Sequence, residues 1–451
     1  MTLKKNDEIE LDITAVTSEG SAIGRYGELA VFVRGAVPGD RITAHVIKVS
    51  KNYAVAIIKN IITPSADRIE SDCPVSDKCG GCSFRNMTYE RELEFKKSIV
   101  EENIRRIGHI DFKAEEIIAA DSTECYRNKA QYPVSIQSGC FTAGFYAYKS
   151  HRIIPAKSCR LQPKEFERGL EAFEKWALQN GITSYDEKTG KGLLRHIYFR
   201  KAFATGEIMA CAVINGKTLP NSEMLVSLLQ EAFSNLKSVV VNINTEKTNV
   251  ILGRKTKVIW GEDKITDILL GKKFVVSAES FYQVNHAQCE KLYEAAAEFA
   301  QLNSDQILLD MYCGAGTIGI TMADKCKQLF GIEIVPSAID NARENARLNN
   351  IQNAEFICAD AFEGANLLTE KGIKPDMVIL DPPRKGCQKE LFDVIENLGI
   401  NRIVYVSCNS ATLARDLEIL NSKGYALKRL KAADMFPRTP HVECVALIER
   451  K

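Results

Sequence analysis

What this sequence lacks is a strong bias of any kind, and each absence removes a class of protein. No uncharged apolar run approaches the roughly 18 residues that a membrane helix needs, so neither a membrane-spanning role nor a membrane partner is expected. The 59 Lys and Arg against 58 Asp and Glu leave a formal charge of +1. Any nucleic-acid site must then be a local patch rather than a whole-molecule field. The opening Met1–Glu10 interleaves acids with apolar residues, with no apolar core segment, so it does not read as a signal peptide and the expectation is a cytoplasmic protein. There is no internal repeat and no low-complexity tract. What is present is ordinary for a globular chain of two or three domains: 451 residues, 45% hydrophobic and 26% charged. Fourteen cysteines in such a chain point to metal binding and catalysis rather than to disulfides.

The periodicity changes twice along the chain. Residues 1–62 alternate apolar and polar in short runs (Ile9–Val16, Leu29–Val33, Arg41–Val49, Tyr53–Ile62), punctuated by Gly20, Gly24, Gly27, Gly35 and Pro38-Gly39-Asp40. That pattern predicts a small antiparallel β-barrel. Residues 63–280 form a central α+β region without a clear period. It opens with one charged amphipathic helix over Thr88–Gly108, whose apolar positions are Leu93, Phe95, Ile99, Val100, Ile104 and Ile107 and which is expected to pack on the C-terminal part. From 281 to 451 short β-rich runs (Ile307–Asp310, Gln328–Ile334, Ala354–Cys358, Met377–Leu380, Arg402–Ser407, Val442–Ile448) alternate with helical stretches such as Pro336–Asn349 and Ala411–Ser422. Alternation of this kind predicts an α/β, doubly wound, mostly parallel sheet of Rossmann-like form.

The chemistry-bearing motifs lie in that last third. Gly314-Ala-Gly316-Thr-Ile-Gly319 follows a strand ending at Asp310 and opens a helix, as a nucleotide loop does. Glu333 ends the next strand, where it is placed to take ribose hydroxyls. The loop alone would also suit NAD, but a carboxylate just before it, Asp310, suits a ligand with a cationic amino-acid head. The strand Met377–Leu380 runs into Asp381-Pro-Pro-Arg384, whose prolines fix a rigid turn at the sheet's carboxyl edge. Arg384 is exposed by the same turn, available to a phosphate or a base carbonyl.

Cys408 follows a buried strand and precedes a helix N-terminus in Ser407-Cys-Asn-Ser-Ala-Thr412, a position expected to expose the sulfur and lower its pKa. Cys313, Cys358 and Cys444 read instead as small core hydrophobes. A thiolate next to a methyl-donor site has a specific use. Uracil C5 is too poor a nucleophile to be alkylated directly, and thiolate addition at C6 makes it an enolate carbon. The C5 proton must then leave, which needs a base; Glu443 is the candidate and His441 its rival.

Cys73, Cys79 and Cys82, with a distant Cys159, have metal-site spacing around Gly80-Gly81, fitting an iron–sulfur cluster, with zinc as the alternative. Cys125 and Cys140 compete with Cys159 as fourth ligand, and the C-x3-C-x2-C pattern of radical enzymes is absent. From Tyr126 to Arg160 there is no acid, and Arg127, Lys129, Lys149, Arg152, Lys157 and Arg160 are interleaved with tyrosines and phenylalanines. Phosphate contacts plus stacking platforms are what single-stranded RNA requires, although solvated basic sheet edges look the same.

Taken together, these motifs resemble the RNA uracil-C5 methyltransferases, and within them the bacterial 23S rRNA branch that carries an N-terminal TRAM barrel and an iron–sulfur cluster. The resemblance implies a class I methyltransferase domain using S-adenosylmethionine. It implies Cys408 as nucleophile, Glu443 as base, and cofactor contacts at Gln283, Tyr312, Glu333 and Asp381. It also implies a [4Fe-4S] cluster on Cys73, Cys79, Cys82 and Cys159, and a monomer acting on RNA. Ser410 departs from the proline common after Ser-Cys-Asn. The rivals are a tRNA uridine-C5 enzyme, an RNA cytosine-C5 enzyme, and an RNA-binding protein with a degenerate methyltransferase domain. The cytosine enzymes place a second cysteine after the Pro-Pro turn, where this chain has Arg384.

Overall fold

The computed structural model describes residues 3–451, so the first two positions of the expected barrel lie outside the described residues. Glu8–Val16 alternates strictly, with Ile9, Leu11 and Ile13 inside and Glu8, Glu10 and Asp12 outside. The same rule operates in Leu29–Val33, Arg41–Val49 and Tyr53–Thr63, and the barrel closes with its own apolar interior. Two features differ from the pattern's prediction. Ala22–Tyr26 is a further strand; its Gly24 admits the Asp12 carbonyl to within 2.9 Å of where a Cβ would stand. The closing pair, Leu29–Val33 with Tyr53–Thr63, is parallel, so the barrel is not wholly antiparallel.

The central region is a seven-stranded sheet. Its helices Phe166–Gln179 and Ser222–Ala232 cover one face, with Phe166, Phe173, Trp176, Phe199 and Phe233 packed between. Gly169 is required there, because a Cβ would lie 2.4 Å from the Phe233 ring. The other face is covered as well: Tyr198, Met209, Cys211, Val213 and Val240 share one core with helix His286–Ala300 of the C-terminal part. A strand buried on both sides loses its alternation, which is why Ile208–Ile214, buried at every position, carries no period. The hairpin Lys264–Leu269 with Lys272–Ser277 also packs its Ile265, Phe274 and Val276 into that joint core.

The C-terminal sheet has eight strands. In spatial order they are Ala354–Cys358, Gln328–Glu333, Ile307–Met311, Met377–Leu380, Arg402–Ser407, Glu443–Arg450, Tyr425–Ala433 and Ile117–Ile118. The first five are parallel, and Glu443–Arg450 runs antiparallel to both its neighbours. The order reverses between Ile307–Met311 and Met377–Leu380, which opens a crevice at the carboxyl ends of the strands. Helix Tyr89–Arg106 packs against helix Ser410–Ser422. Its buried face is Glu92, Lys96, Val100 and Ile104, whereas Ile107 is exposed. Two charges replace the expected hydrophobes because they satisfy each other: the Lys96 ammonium donates to Glu92 at 2.7 Å and to Asp434 at 2.6 Å. Among the described residues no helix is long and apolar enough to cross a membrane.

Candidate active site and a second cysteine-lined cavity

The crevice is a cavity of about 1320 Å3, larger than the roughly 300–1,000 Å3 of a single-ligand pocket. Gln283, Asp310, Tyr312, Gly314, Glu333, Asp381, Cys408 and Glu443 all line it, as do His441 and Arg384. Gly316 does not line the cavity; it caps the short helix Thr317–Met322 in a left-handed conformation, with φ of 78°. The glycines serve a close approach. The Gly319 amide donates to Asp310 Oδ2 at 2.9 Å, and a Cβ there would lie 2.8 Å from that oxygen. The other carboxylate oxygen, Oδ1, is buried without a partner. Burial, reinforced by Asp381 and Glu333, pushes the Asp310 carboxyl up to about 8. A cationic group would relieve that site. Glu333 accepts from the amides of Gly314 at 3.2 Å and Val335 at 2.9 Å, so its carboxylate is fixed at the mouth of the loop.

The turn after Asp381 and the one bearing Cys408 are tied together. Asn409 Nδ2 donates to the Arg384 carbonyl at 3.2 Å, Arg415 reaches the carbonyls of Lys385 and Cys387, and Asp416 accepts from the Cys387 amide. The antiparallel register sets Ser407 opposite Cys444, which brings Cys408 beside Glu443. Glu443 is 4% exposed, and burial with the Asp381 charge raises it to about 8, against the pull of Arg384. Burial alone raises Asp381 to about 7.

The Cys408 thiol does not behave as its place at a helix start suggested. Burial, then Glu443 and Asp381, push it up to about 11, with Arg384 opposing. The helix's first amides are partly engaged, since Asn409 caps the Ala411 amide at 3.1 Å, and two nearby carboxyls outweigh the remainder. Of the cysteines expected in the core, Cys313 and Cys444 are buried but Cys358 is exposed.

Several lining residues were not singled out from the sequence. Phe281 is 73% exposed at the cavity, and Ile334 and Val335 follow Glu333 with apolar surface bare to solvent. The Ile-Val pair directly after a strand-end acid was a legible signal. Lys129 was not legible as a cavity residue: it arrives from the central sheet, and burial with the charges of Arg200 and Arg127 lowers it to about 8. The Gln283 loop is anchored to the residue before Lys129, its carbonyl accepting from Asn128 Nδ2 at 2.8 Å.

Cys73, Cys79, Cys82 and Cys159 line a second cavity of about 160 Å3, and neither Cys125 nor Cys140 lines it. Burial, together with the neighbouring thiols Cys82, Cys79 and Cys73, raises Cys159 to about 11. Among the described residues no three His, Cys, Asp or Glu side chains converge on a single-ion site. The four cysteines instead share the wall of that cavity. Arg85 Nε and Nη2, Arg127 Nε and Gln162 Oε1, from residues lining it, are buried without partners. Unpaired guanidinium N–H groups beside four cysteines fit a sulfur-rich, negatively charged group.

A mostly parallel sheet with a glycine turn, strand-end acids and a crevice at its switch point defines a class I methyltransferase fold. Residues 217–451 match the family model described as tRNA (Uracil-5-)-methyltransferase, and residues 3–59 match the TRAM domain. The chain belongs to the tRNA (uracil-5-)-methyltransferase family and carries a TRAM domain; it is an RNA methyltransferase. It is 43% identical to an uncharacterized RNA methyltransferase of Clostridium tetani over 99% of this chain and 97% of that one. A second such protein, from Halalkalibacterium halodurans, is 42% identical over 100% of this chain and 98% of that one. Among solved structures, the tRNA (uracil-54, C5)-methyltransferase of Pyrococcus abyssi, in complex with S-adenosyl-L-homocysteine, superimposes with a TM-score of 0.79. It is 26% identical, over 97% of this chain and 99% of that one.

Proposed function

We propose that this protein methylates C5 of a specific uridine in 23S rRNA, using S-adenosylmethionine and a covalent bond from Cys408 to C6. The observation that carries this reading is the meeting of Cys408, Glu443 and Asp381 with the glycine turn in one cavity large enough for two ligands. Asp310, Tyr312, Gly314, Glu333, Asp381 and Gln283 would hold the cofactor, with Gly316 shaping the turn. The unpartnered Asp310 oxygen matches its ammonium. When bound, S-adenosylmethionine supplies an electrophilic methyl group.

The protein's part is to make C5 nucleophilic and then to clear it. Cys408 loses its proton to solvent and its sulfur bonds C6, while the double-bond electron pair moves toward C5 and O4. After C5 has taken the methyl group, ionised Glu443 removes the C5 proton. The C6–S bond then breaks, restoring the double bond and the thiolate. A carboxylate held near 8 is well matched to that proton transfer. The uridine must be extruded from its stack for its ring face to meet the thiol.

Cys73, Cys79, Cys82 and Cys159 are assigned to a [4Fe-4S] cluster, supported by the width of their cavity and its unpaired arginine donors. The barrel and the cysteine cavity together favour ribosomal RNA; the Pyrococcus abyssi relative, named for a tRNA, keeps tRNA as the second reading. The proposal is a monomer working in the cytoplasm. Methylation of 23S rRNA and tRNA transcripts, with the product mapped, separates the readings: 5-methyluridine in the 23S transcript is expected, and product in tRNA alone would replace rRNA as substrate. Cys408→Ala is expected to abolish both methylation and the denaturant-stable RNA adduct while S-adenosylhomocysteine still binds. Turnover by that variant would refute the covalent route.

A further inference from the structure

The segment between strands Tyr425–Ala433 and Glu443–Arg450 is a strap that reaches both cavities. Phe436 and His441 line the active one, and Glu443 opens its strand two residues after His441. Five consecutive carbonyls of the strap are each taken by another part of the chain. Gln288 Nε2 donates to Asp434 at 3.0 Å, Asn285 Nδ2 to Met435 at 3.2 Å and Lys96 Nζ to Phe436 at 3.2 Å. The Tyr126 hydroxyl donates to Pro437 at 2.9 Å, and the amides of Ser83 and Phe84 donate to Arg438 at 2.9 and 3.2 Å. Those two amides directly follow Cys82, so the end of the cysteine segment is bonded to the strap. Arg438 itself has a left-handed φ of 69°, which a residue other than glycine keeps only where its neighbours over-determine it. Its amide donates to Glu92 Oε1 at 2.7 Å. A Cβ at Gly20 of the barrel would lie 2.6 Å from the Ser83 Cβ and 3.3 Å from the Pro440 Cβ, so this joint has no slack.

A side chain makes the second link. Arg127 lines the cysteine cavity, where its Nε is buried without a partner. Its amide donates at 3.0 Å to the carbonyl of Leu161, on the same wall. Its guanidinium lies 5.8 Å from the centre of the Phe436 ring, within reach of a cation–π contact. Phe436 in turn stands edge-on to His441, with ring centres 5.9 Å apart. The cysteine wall, Arg127, Phe436 and His441 therefore form one run of neighbouring groups that ends two residues from the base. The cofactor side is held differently. Asp310 accepts from the Gly319 amide, and Glu333 from the amides of Gly314 and Val335; none of these bonds involves the strap.

We propose that Arg127 is a positioning residue for the base: from the wall of the cysteine cavity it holds Phe436 and the strap, and so fixes where Glu443 meets the C5 proton. The buried Nε–H of Arg127 is a donor that a sulfur-rich anion on the four cysteines would satisfy. A guanidinium satisfied on that side stays in place against Phe436 on the other. The cysteine cavity then governs one step of the reaction, proton removal, and neither cofactor binding nor thiol addition. This rests on the RNA-methylation reading and the cluster assignment above.

The test uses the full-length protein. Amide hydrogen exchange, read by mass spectrometry, should quicken about tenfold at residues 434–441 in Arg127→Met and in Cys159→Ser, with no change at residues 310–335. In rapid-quench single turnovers, Arg127→Met should form the denaturant-stable RNA adduct at the wild-type rate and resolve it between about ten- and a hundredfold more slowly. Its S-adenosylhomocysteine affinity should stay at the wild-type value. Phe436→Leu, which leaves Arg127 and every cysteine in place, should keep the iron and still build up the adduct. Unchanged exchange at 434–441 in either variant, or an adduct that Arg127→Met resolves at the wild-type rate, overturns the proposal. Joint loss of S-adenosylhomocysteine binding and adduct formation also overturns it, because Arg127 would then serve folding rather than positioning. A wild type that forms no adduct on any uridine fails the earlier reading instead, and the exchange comparison still decides whether Arg127 and the cysteine wall hold the strap.

Discussion

The two cavities differ in which buried polar groups they leave without a partner. The larger is lined by buried acids: burial, with a neighbouring carboxyl adding to it at Asp310 and Glu443, raises Asp310, Asp381 and Glu443 to between about 7 and 8, and Cys408 higher still. It lacks a cation. The smaller sets four cysteines beside Arg85 and Arg127; Arg85 Nη1 pairs with Asp72 and Glu124, while its Nε and Nη2 and the Nε of Arg127 are buried without partners. A protein tolerates a buried unpaired group only where something else completes it. A sulfonium and ammonium ligand meets that need in the first cavity, and the proposed thiolate-bound cluster would meet it in the second.

The largest expected effect falls on the acid cavity. Glu443→Gln should slow turnover by about a hundred- to ten-thousandfold and accumulate a protein–RNA band that survives denaturant; slow turnover with no trapped band would move the base to His441. In the thiol cavity, anaerobically purified protein should be brown with about four irons per chain. Cys159→Ser should lose the iron and colour yet bind S-adenosylhomocysteine as wild type does; stoichiometric zinc without visible absorbance would break the contrast. Asp310→Asn sharpens it further. The folded value near 8 lies above the unfolded value near 3.9. Wild type therefore loses stability as pH rises between about 4 and 8, and the Asn variant should escape that loss in melting experiments. Its affinity for S-adenosylhomocysteine should fall by about tenfold; a full-strength complex would remove Asp310 from the site. The pH dependence of wild type tests the raised values directly. Because the base and the nucleophile are both held in their protonated forms, single-turnover methylation should rise steadily from pH 7 to 9, and a flat profile would refute the raised values.

Much of the active cavity was legible because its residues sit at strand ends. Asp310, Glu333, Asp381 and Cys408 each close an apolar run, so period and punctuation place them at one edge of the sheet. Glu443 opens a strand instead and was found only through the chemistry. Its partner Tyr425–Ala433 went unread, since its polar Lys428, Arg429 and Lys431 mask the alternation. The sign of the Cys408 shift was misread for a related reason: a helix start is visible in sequence, but the burial of the thiol and the two carboxyls brought from other strands are not. Lys129 shows the same limit, being delivered to the cavity across the joint with the central sheet.

The core shared between the central sheet and helix His286–Ala300 has a consequence for how this chain can be cut or recombined. The N-terminal barrel has an apolar interior of its own, and only a small apolar cluster, Val16 and Val37 against Phe84, Met87 and Phe95, joins it to the rest. The remainder is not so divided. An excised catalytic half would bare the apolar lining that Tyr198, Met209 and Val240 now cover, and such a fragment would precipitate rather than work alone.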